Sequence, residues 1–289
     1  MNLAPHGWPF ALLRRYARLA PTERGGFRLA RLARGLVPRQ KWRGVFATGS
    51  GVRLDLDLAT YPDVAMAAGV YELDTQRLLR HLLRPGMHFV DGGANIGFFT
   101  CRAAQLVGPT GRVDAFEPDP QNNARLEANL ARNGLADRVK VHPLALAERS
   151  ARLTFHRPAA GSRRNHGESG RFPRPGEQTE MFEVESVRLD AALDRVPDLV
   201  KLDLEGSELF ALKGATAWFT SDRPPIWLVE HNPGADRAAG HRGGDAWRAL
   251  LERCPGYQCW FVATWLRPIS SPEELDAFPR QGNLLFRCG

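Results

Sequence analysis

The stretch HFVDGGANIG at residues 88–97 decides the fold class. An apolar run at 87–90 ends at Asp91, a glycine-rich turn follows, and a helical pattern begins directly after Gly97. A strand that leads through such a turn into a helix is typical of a βα unit, and the glycines let a ligand approach the backbone closely. The stretch therefore predicts an α/β domain with a ligand beside this turn.

The rest of the chain repeats this alternation of strand and helix. Short apolar runs that end near a glycine or an acid predict five strands at 87–90, 112–116, 139–146, 199–204 and 226–230. Helices are predicted at 98–107 and from the cap Asp119 to the Asn133-Gly134 stop. Such alternation is typical of a parallel sheet, and runs at 257–263 and 284–286 predict a closing antiparallel pair.

Asp91 distinguishes between two kinds of ligand. Gly92, Ala94 and Gly97 loosely match a dinucleotide fingerprint, yet a carboxylate at the strand tip would repel a pyrophosphate. S-adenosyl-L-methionine carries an ammonium and a sulfonium and no phosphate. We therefore predict this cofactor, with Asp91 orienting its methionine end and with Gly93 and Gly97 allowing its close approach.

Glu117 ends the second predicted strand, 20 residues beyond Gly97. That spacing suits a carboxylate that accepts hydrogen bonds from ribose hydroxyls. Because nicotinamide and adenosylmethionine sites share this feature, Glu117 predicts a nucleoside pocket without choosing between them.

The segment VKLDLEGSE at 200–208 places Asp203 and Glu205 near the carboxyl end of the fourth strand, where ligands bind in open α/β sheets. The two acids can position the methionine ammonium, position an acceptor hydroxyl or hold a divalent cation. His231 follows the fifth strand and is our candidate general base, with Asp203 as the alternative.

Three segments in this order resemble the FkbM-type methyltransferase family: VDGGANIGFFT, AFEPDPQNNARLEANLARNG and VKLDLEGSELFALKGA. The resemblance covers roughly residues 71–232. It implies a Rossmann-like class I methyltransferase fold, with a seven-stranded, mostly parallel sheet and an antiparallel C-terminal strand. It also implies S-adenosyl-L-methionine as cofactor and mainly O-methylation of glycans, glycolipids or polyketides.

The resemblance also assigns residues to roles. Asp91, Gly93, Asn95, Gly97 and Glu117 match the cofactor motifs. A second set matches the family segment KxDxEGxE, namely Lys201, Asp203, Glu205 and Glu208. Tyr71-Glu72 is similar to a further family feature, and we place Glu72 over the methionine end of the cofactor.

The net charge of +7 is concentrated at the N-terminus, where residues 1–44 hold ten Lys or Arg and one acid. Apolar residues at helical spacing predict two short basic helices there, which form an arm before a methyltransferase domain at 45–289. Such an arm can contact an anionic surface or a membrane, and a solvated helical face is the alternative. An Arg-, Gly- and Pro-rich segment at about 156–180 is predicted to be a loop on the substrate side.

The four cysteines form no CxxC pair and have no histidine partners at zinc spacing, so we predict neither a zinc knuckle nor a disulfide scaffold, and we assign no residue as a metal ligand. The longest apolar run near the N-terminus leads directly into Arg14 and Arg15, which fits neither a secretory leader nor a membrane span. These features predict a soluble, cytoplasmic protein.

We predict an enzyme that methylates a hydroxyl of a sugar, glycolipid or natural product, with a small molecule or glycan as its partner. A nucleic-acid methyltransferase is one alternative, which only the basic arm favours, so a nucleic-acid partner is not expected. The other is a non-catalytic adenosylmethionine-binding protein that docks through its arm.

Overall fold

The computed structural model describes residues 8–19, 26–159, 169–173, 176, 178–219 and 221–289. The strands are β1 (Arg43–Ala47), β2 (Arg53–Asp57), β3 (His88–Gly92), β4 (Arg112–Phe116), β5 (Val139–His142), β6 (Ala145–Leu146), β7 (Ala151–Pro158), β8 (Thr179–Val187), β9 (Leu199–Leu202), β10 (Ile226–His231), β11 (Tyr257–Phe261), β12 (Arg267–Ile269) and β13 (Gly282–Cys288). The α-helices are α1 (Trp8–Leu19), α2 (Gly26–Gly35), α3 (Asp63–Ala68), α4 (Leu73–Leu82), α5 (Phe98–Val107), α6 (Pro120–Arg132), α7 (Leu189–Ala192), α8 (Glu208–Lys213), α9 (Pro233–Ala238), α10 (Asp245–Leu251) and α11 (Pro272–Asp276).

The central sheet has, within the described residues, eight strands in the order β12-β11-β13-β10-β9-β3-β4-β5. The strands from β10 to β5 are parallel, whereas β13 runs antiparallel to both of its neighbours, β10 and β11. This is the predicted class I methyltransferase fold, which is thereby confirmed. The short strand β12 adds an eighth member at the edge of the expected seven.

The βα units around the glycine-rich turn begin and end where local signals predict. Helix α5 follows Gly97 and ends before Gly108, and β4 has the predicted bounds. Helix α6 is capped by Asp119, whose Oδ1 accepts from the backbone N–H of Gln121 at 2.8 Å, with Pro120 in its first turn. These units carry the turn and Glu117 to the same edge of the sheet.

Two predicted boundaries are wrong. The third strand, expected at 139–146, is divided into β5 of the central sheet and β6 of a separate sheet with β8 and β7, because Pro143 between them cannot donate to a ladder. The loop expected at 156–180 is also shorter, since His156, Arg157 and Pro158 pair with β8. Residues 160–168, 174, 175 and 177 of that loop lie outside the described residues.

The N-terminal helices share the core of the domain. Phe10 of α1 and Ala30 of α2 are fully buried in the cluster that contains the sheet residue Phe89. Arg14 donates from Nη1 to the backbone carbonyls of Ala47 at 2.9 Å and Ala67 at 2.8 Å. The predicted division between 44 and 45 therefore does not separate two cores, although residues 1–7 and 20–25 of the predicted arm lie outside the described residues. None of the described helices combines the length and apolar composition needed to cross a bilayer.

Candidate active site

A cavity of about 410 Å³ lies where the carboxyl ends of β3, β4, β9 and β10 meet. Parallel strands bring the residues at their carboxyl ends to one edge of the sheet, which is where α/β folds bind ligands. Seven of the predicted site residues line this cavity: Glu72, Asp91, Gly93, Asn95, Glu117, Asp203 and Glu205. Gly97 and His231 do not line it.

Asp91 has one satisfied and one unsatisfied carboxylate oxygen. The residue is 1% exposed, and its Oδ2 accepts from Thr100 Oγ1 at 2.6 Å. Its Oδ1 is buried and has no hydrogen-bond partner among the described residues. A buried acceptor without a donor costs about 1–3 kcal/mol, so the site suits a ligand that brings a donor such as an ammonium. Asp91 therefore fits the methionine end of the predicted cofactor.

The two glycines of the turn have different functions. Gly93 has φ of 80°, and a Cβ there would come within 1.9 Å of the Asp203 carbonyl, so only glycine lets the two loops meet beside the cavity. Gly97 has φ of 89°, but a Cβ there would meet Leu126 of α6 at 2.5 Å. Gly97 thus lets α5 pack against α6 and does not line the cavity, and its role in the approach of the ligand stays a prediction.

Glu117 is 5% exposed and is held by two backbone donors. The N–H of Asn95 donates to its Oε2 at 2.7 Å, and the N–H of Asp119 donates to its Oε1 at 2.9 Å. Burial, partly offset by these donors, raises the pKa of Glu117 to about 7. Asn95 has φ of 50°, in the left-handed region. The carboxylate lines the cavity in a fixed orientation, as a ribose site requires.

Lys201 is a buried cation among acids. Its side chain is 1% exposed, its Nζ donates to Asp203 Oδ2 at 2.8 Å, and it lies 4.7 Å from the ring centroid of Phe99. Burial favours the neutral amine, but the charges of Asp203, Glu72 and Asp91 outweigh it and raise the pKa of Lys201. The ammonium is therefore permanently charged at neutral pH and joins three acids from three different parts of the chain.

Glu72 reaches the cavity from the segment before the sheet. It has φ of 42°, just before α4, and its Oε2 accepts from Asn283 Nδ2 at 2.9 Å. Asn283 lies on β13 and also donates to Thr75 Oγ1 at 3.0 Å, while its own Oδ1 is buried without a described partner. Burial raises the pKa of Glu72, and the charge of Lys201 opposes that rise.

Three carboxylates form a group beside Lys201. Asp203, Glu205 and Glu230 each offer an oxygen that lies within 4.8 Å of the others. Glu230 Oε1 accepts from Gln281 Nε2 at 2.9 Å, while Oε2 is buried and has no partner among the described residues. Burial, followed by the charges of Asp203 and Glu205, raises the pKa of Glu230 well above its ordinary value. Such a group can take up a proton or hold a cation.

The prediction that His231 faces the reactive edge is wrong. Successive side chains of a strand point to opposite faces, and on β10 it is Glu230 that lines the cavity. His231 is 2% exposed, and its Nε2 lies 3.1 Å from the Phe278 carbonyl, which it approaches as a donor. Its Nδ1 lies 3.8 Å from Asp236 Oδ2, and burial lowers the pKa of His231. The residue belongs to the packing behind the site.

Sequence reasoning missed Glu230 and Asn283 and left Lys201 without a role. Both faces of β10 are covered, so the apolar pattern does not show which of Glu230 and His231 points toward the ligand. Asn283 pairs with Glu230 across the antiparallel strands, a neighbour relation that no local pattern contains. For Lys201, a lysine amid an otherwise apolar strand was an available signal.

The sequence model of the family described as "Methyltransferase FkbM domain" matches residues 91–259. Among curated proteins, the chain is similar to 2-O-methyltransferase NoeI of Sinorhizobium fredii, at 28% identity over 163 residues, which are 51% of this chain and 65% of that protein. It is also similar to AMB antimetabolite synthetase AmbE of Pseudomonas aeruginosa, at 29% identity over 208 residues, which are 60% of this chain and 10% of that protein. The chain thus spans less than two thirds of the length of these relatives.

Among solved structures, the chain is similar to methyltransferase FkbM from Methylobacillus flagellatus KT. The identity is 20%, the TM-score is 0.47, and the match covers 79% of this chain and 56% of that one.

Replacing Lys201 tests whether its ammonium holds the acids together. We expect Lys201→Met to lower the free energy of unfolding by about 3–5 kcal/mol at pH 8, because it strands buried carboxylates. The loss should be smaller at pH 5, since Asp91 and Glu72, whose pKa values burial raises, take up protons when the ammonium is gone. Urea unfolding at both pH values measures this.

The exposed Lys213 provides the matched control, and Lys213→Met should change stability by no more than about 0.5 kcal/mol. The double variant Lys201→Met/Asp203→Asn should recover part of the loss, because it removes one stranded charge. Equal losses for Lys201→Met at pH 5 and pH 8 would contradict the electrostatic role.

Proposed function

Because the chain belongs to the FkbM methyltransferase family, we propose that it transfers a methyl group to a hydroxyl of a sugar, glycolipid or natural product. The family match supports the coarser part of this proposal, that the chain is an S-adenosyl-L-methionine-dependent methyltransferase. The acceptor is the finer part. The observation that supports a hydroxyl acceptor is the group of three carboxylates, Asp203, Glu205 and Glu230, at the edge of the cavity.

Four residues of the cavity are suited to bind the cofactor. Asp91 offers its unsatisfied Oδ1 to the methionine ammonium, and Glu72, whose charge also acts on Lys201, is a second acid of the cavity. Glu117 accepts hydrogen bonds from the ribose hydroxyls. Gly93 lets the glycine-rich turn lie close to the loop after β9. When bound, S-adenosyl-L-methionine supplies an electrophilic methyl group on a sulfonium.

The carboxylate group supplies what a hydroxyl acceptor needs. An alcohol holds its proton tightly, so a base must take the proton as the oxygen bonds to carbon. Glu230 is the strongest candidate because it lines the cavity beside Asp203 and Glu205 and its Oε2 has no partner among the described residues, and the raised pKa makes it a better base than an ordinary carboxylate. Asp203, which Lys201 holds in place, and Glu205 orient the acceptor hydroxyl by accepting hydrogen bonds.

The sugar acceptor has support from one relative. NoeI is by its name a 2-O-methyltransferase, and its similarity extends over 51% of this chain. The cavity lining agrees with a neutral polyol, because six acids and one lysine would repel a phosphorylated acceptor. Residues that supply carboxylate oxygens are also suitable hydrogen-bond acceptors for several hydroxyls at once.

We expect labelled methyl transfer into a panel of saccharides, glycolipids, polyketides and RNA to give a methyl ether on a hydroxyl of a non-nucleic acceptor. Mass analysis of the product identifies the hydroxyl that has been methylated. Label that enters RNA alone would contradict the proposed acceptor class. Cofactor binding without transfer to any acceptor in the panel would favour the non-catalytic alternative.

The cofactor affinity should depend on pH through Glu117. The ionised form of Glu117 accepts hydrogen bonds from both ribose hydroxyls. Because the pKa of Glu117 is about 7, this form is a small fraction at pH 6 and the dominant form at pH 8. We expect the affinity for S-adenosyl-L-methionine to rise about tenfold over this interval, as that fraction does. Calorimetry should show that Glu117→Gln weakens binding and loses this dependence, whereas Glu127→Gln on the exposed face of α6 keeps it. Retention of the dependence by Glu117→Gln would assign it to another group.

Single-turnover methyl transfer by the variants Glu230→Gln, His231→Ala and Asp203→Asn should identify the general base. We expect Glu230→Gln to lower the rate about 10²–10⁴-fold while it leaves cofactor affinity within a few-fold, because the amide cannot take the proton. The wild-type rate should fall as the pH is lowered through the pKa of Glu230, since protonation disables the base. His231→Ala should retain the rate, because its imidazole points away from the cavity.

Asp203→Asn distinguishes a base from an orienting group. As an orienting group, Asp203 should affect the Michaelis constant of the acceptor more than the pH profile of the rate. If Asp203→Asn abolishes the pH dependence while Glu230→Gln keeps it, the base is Asp203 and the assignment of Glu230 is wrong. The same assays with a chelating agent test whether the carboxylate group needs a divalent cation.

A further inference from the structure

Four leucines of the N-terminal helices are exposed to solvent. We call them the leucine face: Leu12 of α1 is 63% exposed, and Leu29, Leu32 and Leu36 in and after α2 are 38%, 70% and 64% exposed. The buried side of α2, formed by Gly26, Ala30 and Ala33, lies about a quarter turn around the helix from the leucines. Residues three and four apart share one side of a helix, so the leucines at 29, 32 and 36 form a stripe. An apolar stripe in water indicates a contact that another surface completes.

Exposed basic residues flank this stripe. Arg28 and Arg31 lie on the exposed part of α2, and Arg15 lies on the exposed part of α1. Arg39 and Lys41 follow in the next turn and are also exposed. Residues 8–19 and 26–44 contain no Asp or Glu, so no acid of these segments neutralises the arginines. Leucines beside unneutralised arginines match the two layers of an anionic bilayer surface, its acyl boundary and its headgroups.

The helices are fixed to the domain, so the leucine face has a defined orientation. Arg14 bonds to the carbonyls of Ala47 and Ala67, and Arg34 Nη1 donates to the Leu58 carbonyl at 3.1 Å. These two arginines hold the helices, in contrast to the exposed ones. Phe10 and Ala17 anchor α1 in the main core.

A line of aromatic rings leads from α2 to the cavity. Phe27, 40% exposed, contacts Tyr61 edge-on with ring centroids 4.9 Å apart. Tyr61 is 46% exposed, lines the cavity and lies 6.3 Å from Tyr71, which in turn lies 5.2 Å from Phe98. These rings form an apolar path from α2 to the cavity, on the side of α2 away from the leucine stripe, because residues two apart in a helix do not share a side.

We propose that α1 and α2 dock the protein onto an anionic lipid bilayer, with the leucine face in the acyl boundary and the exposed arginines against the headgroups. The docking does not depend on the proposed acceptor. A second copy of the chain is the other surface that could cover the leucines. In a twofold contact the same patch would face itself and bring arginine against arginine, which the charge distribution disfavours.

The test is co-sedimentation of the full chain with vesicles. We expect binding to phosphatidylcholine vesicles that contain phosphatidylglycerol, much weaker binding to phosphatidylcholine alone, and a loss of binding as salt rises. Leu32→Ser/Leu36→Ser and Arg28→Gln/Arg31→Gln should each weaken binding by about tenfold or more, because each pair removes one of the two contributions.

Matched controls change the same chemistry elsewhere on the surface. Met181→Ser/Trp265→Ser removes apolar residues that are 72% and 84% exposed, and Arg253→Gln/Arg287→Gln removes exposed arginines. Both controls should bind like the wild type. Calorimetry with S-adenosyl-L-methionine should give the wild-type affinity for all variants, which shows that they fold.

Other outcomes overturn the docking. These are failure of the wild type to bind the anionic vesicles, equal loss in the controls, or a dimer in light scattering that only the leucine variant dissociates. Salt-sensitive binding to RNA in preference to the vesicles would also overturn it. A chain that binds the vesicles and fails to transfer methyl groups would refute the proposed function and leave the docking intact.

Discussion

The buried ammonium of Lys201 is the interaction on which the site depends. An ion this deeply buried is stable only when opposite charges and hydrogen bonds replace its lost water. Asp203 provides the close partner at 2.8 Å, and Asp91 and Glu72 provide the field around it. The three acids come from the loop after β9, the tip of β3 and the segment before α4. One cation thus joins three separate segments at the carboxyl edge of the sheet.

The charge of the cavity follows from this arrangement. Lys201 is the one cationic side chain among the described residues that line it, against six acids. Burial raises the pKa of several of these acids, among them Glu117 and Glu230. The excess of acid excludes a pyrophosphate and suits a cofactor that brings positive charge. The same excess leaves Glu230 ready to take up a proton.

The elements outside the parallel strands complete the site. The antiparallel strand β13 brings Asn283 opposite Glu230, and Asn283 in turn binds Glu72 from a segment 211 residues away. The helices α1 and α2 pack into the same core as the sheet and place Phe27 against Tyr61 at the cavity. The N-terminal segment is therefore part of the body that forms the cavity, and its exposed leucines and arginines form an outer surface of that body.

The order of strands and helices was largely determined by the sequence itself. Local signals are short-range: the Asp119 cap, the Asn133-Gly134 stop and the glycine-rich turn act within a few residues, so α5, β4 and α6 were predicted with their observed bounds. The positions of Asp91, Glu117 and Asp203 at the cavity followed in the same way, because parallel strands bring their carboxyl ends to one edge.

Only the tertiary structure decided which side chains at that edge face the ligand. Both faces of β10 are buried, so its sequence does not determine whether Glu230 or His231 points into the cavity, and Gly97 turned out to accommodate Leu126. The partners of Lys201 and Asn283 lie far away in the chain, and no local periodicity records them. Side-chain direction and long-range charge pairing depend on how the elements pack, and that packing is a property of the whole fold.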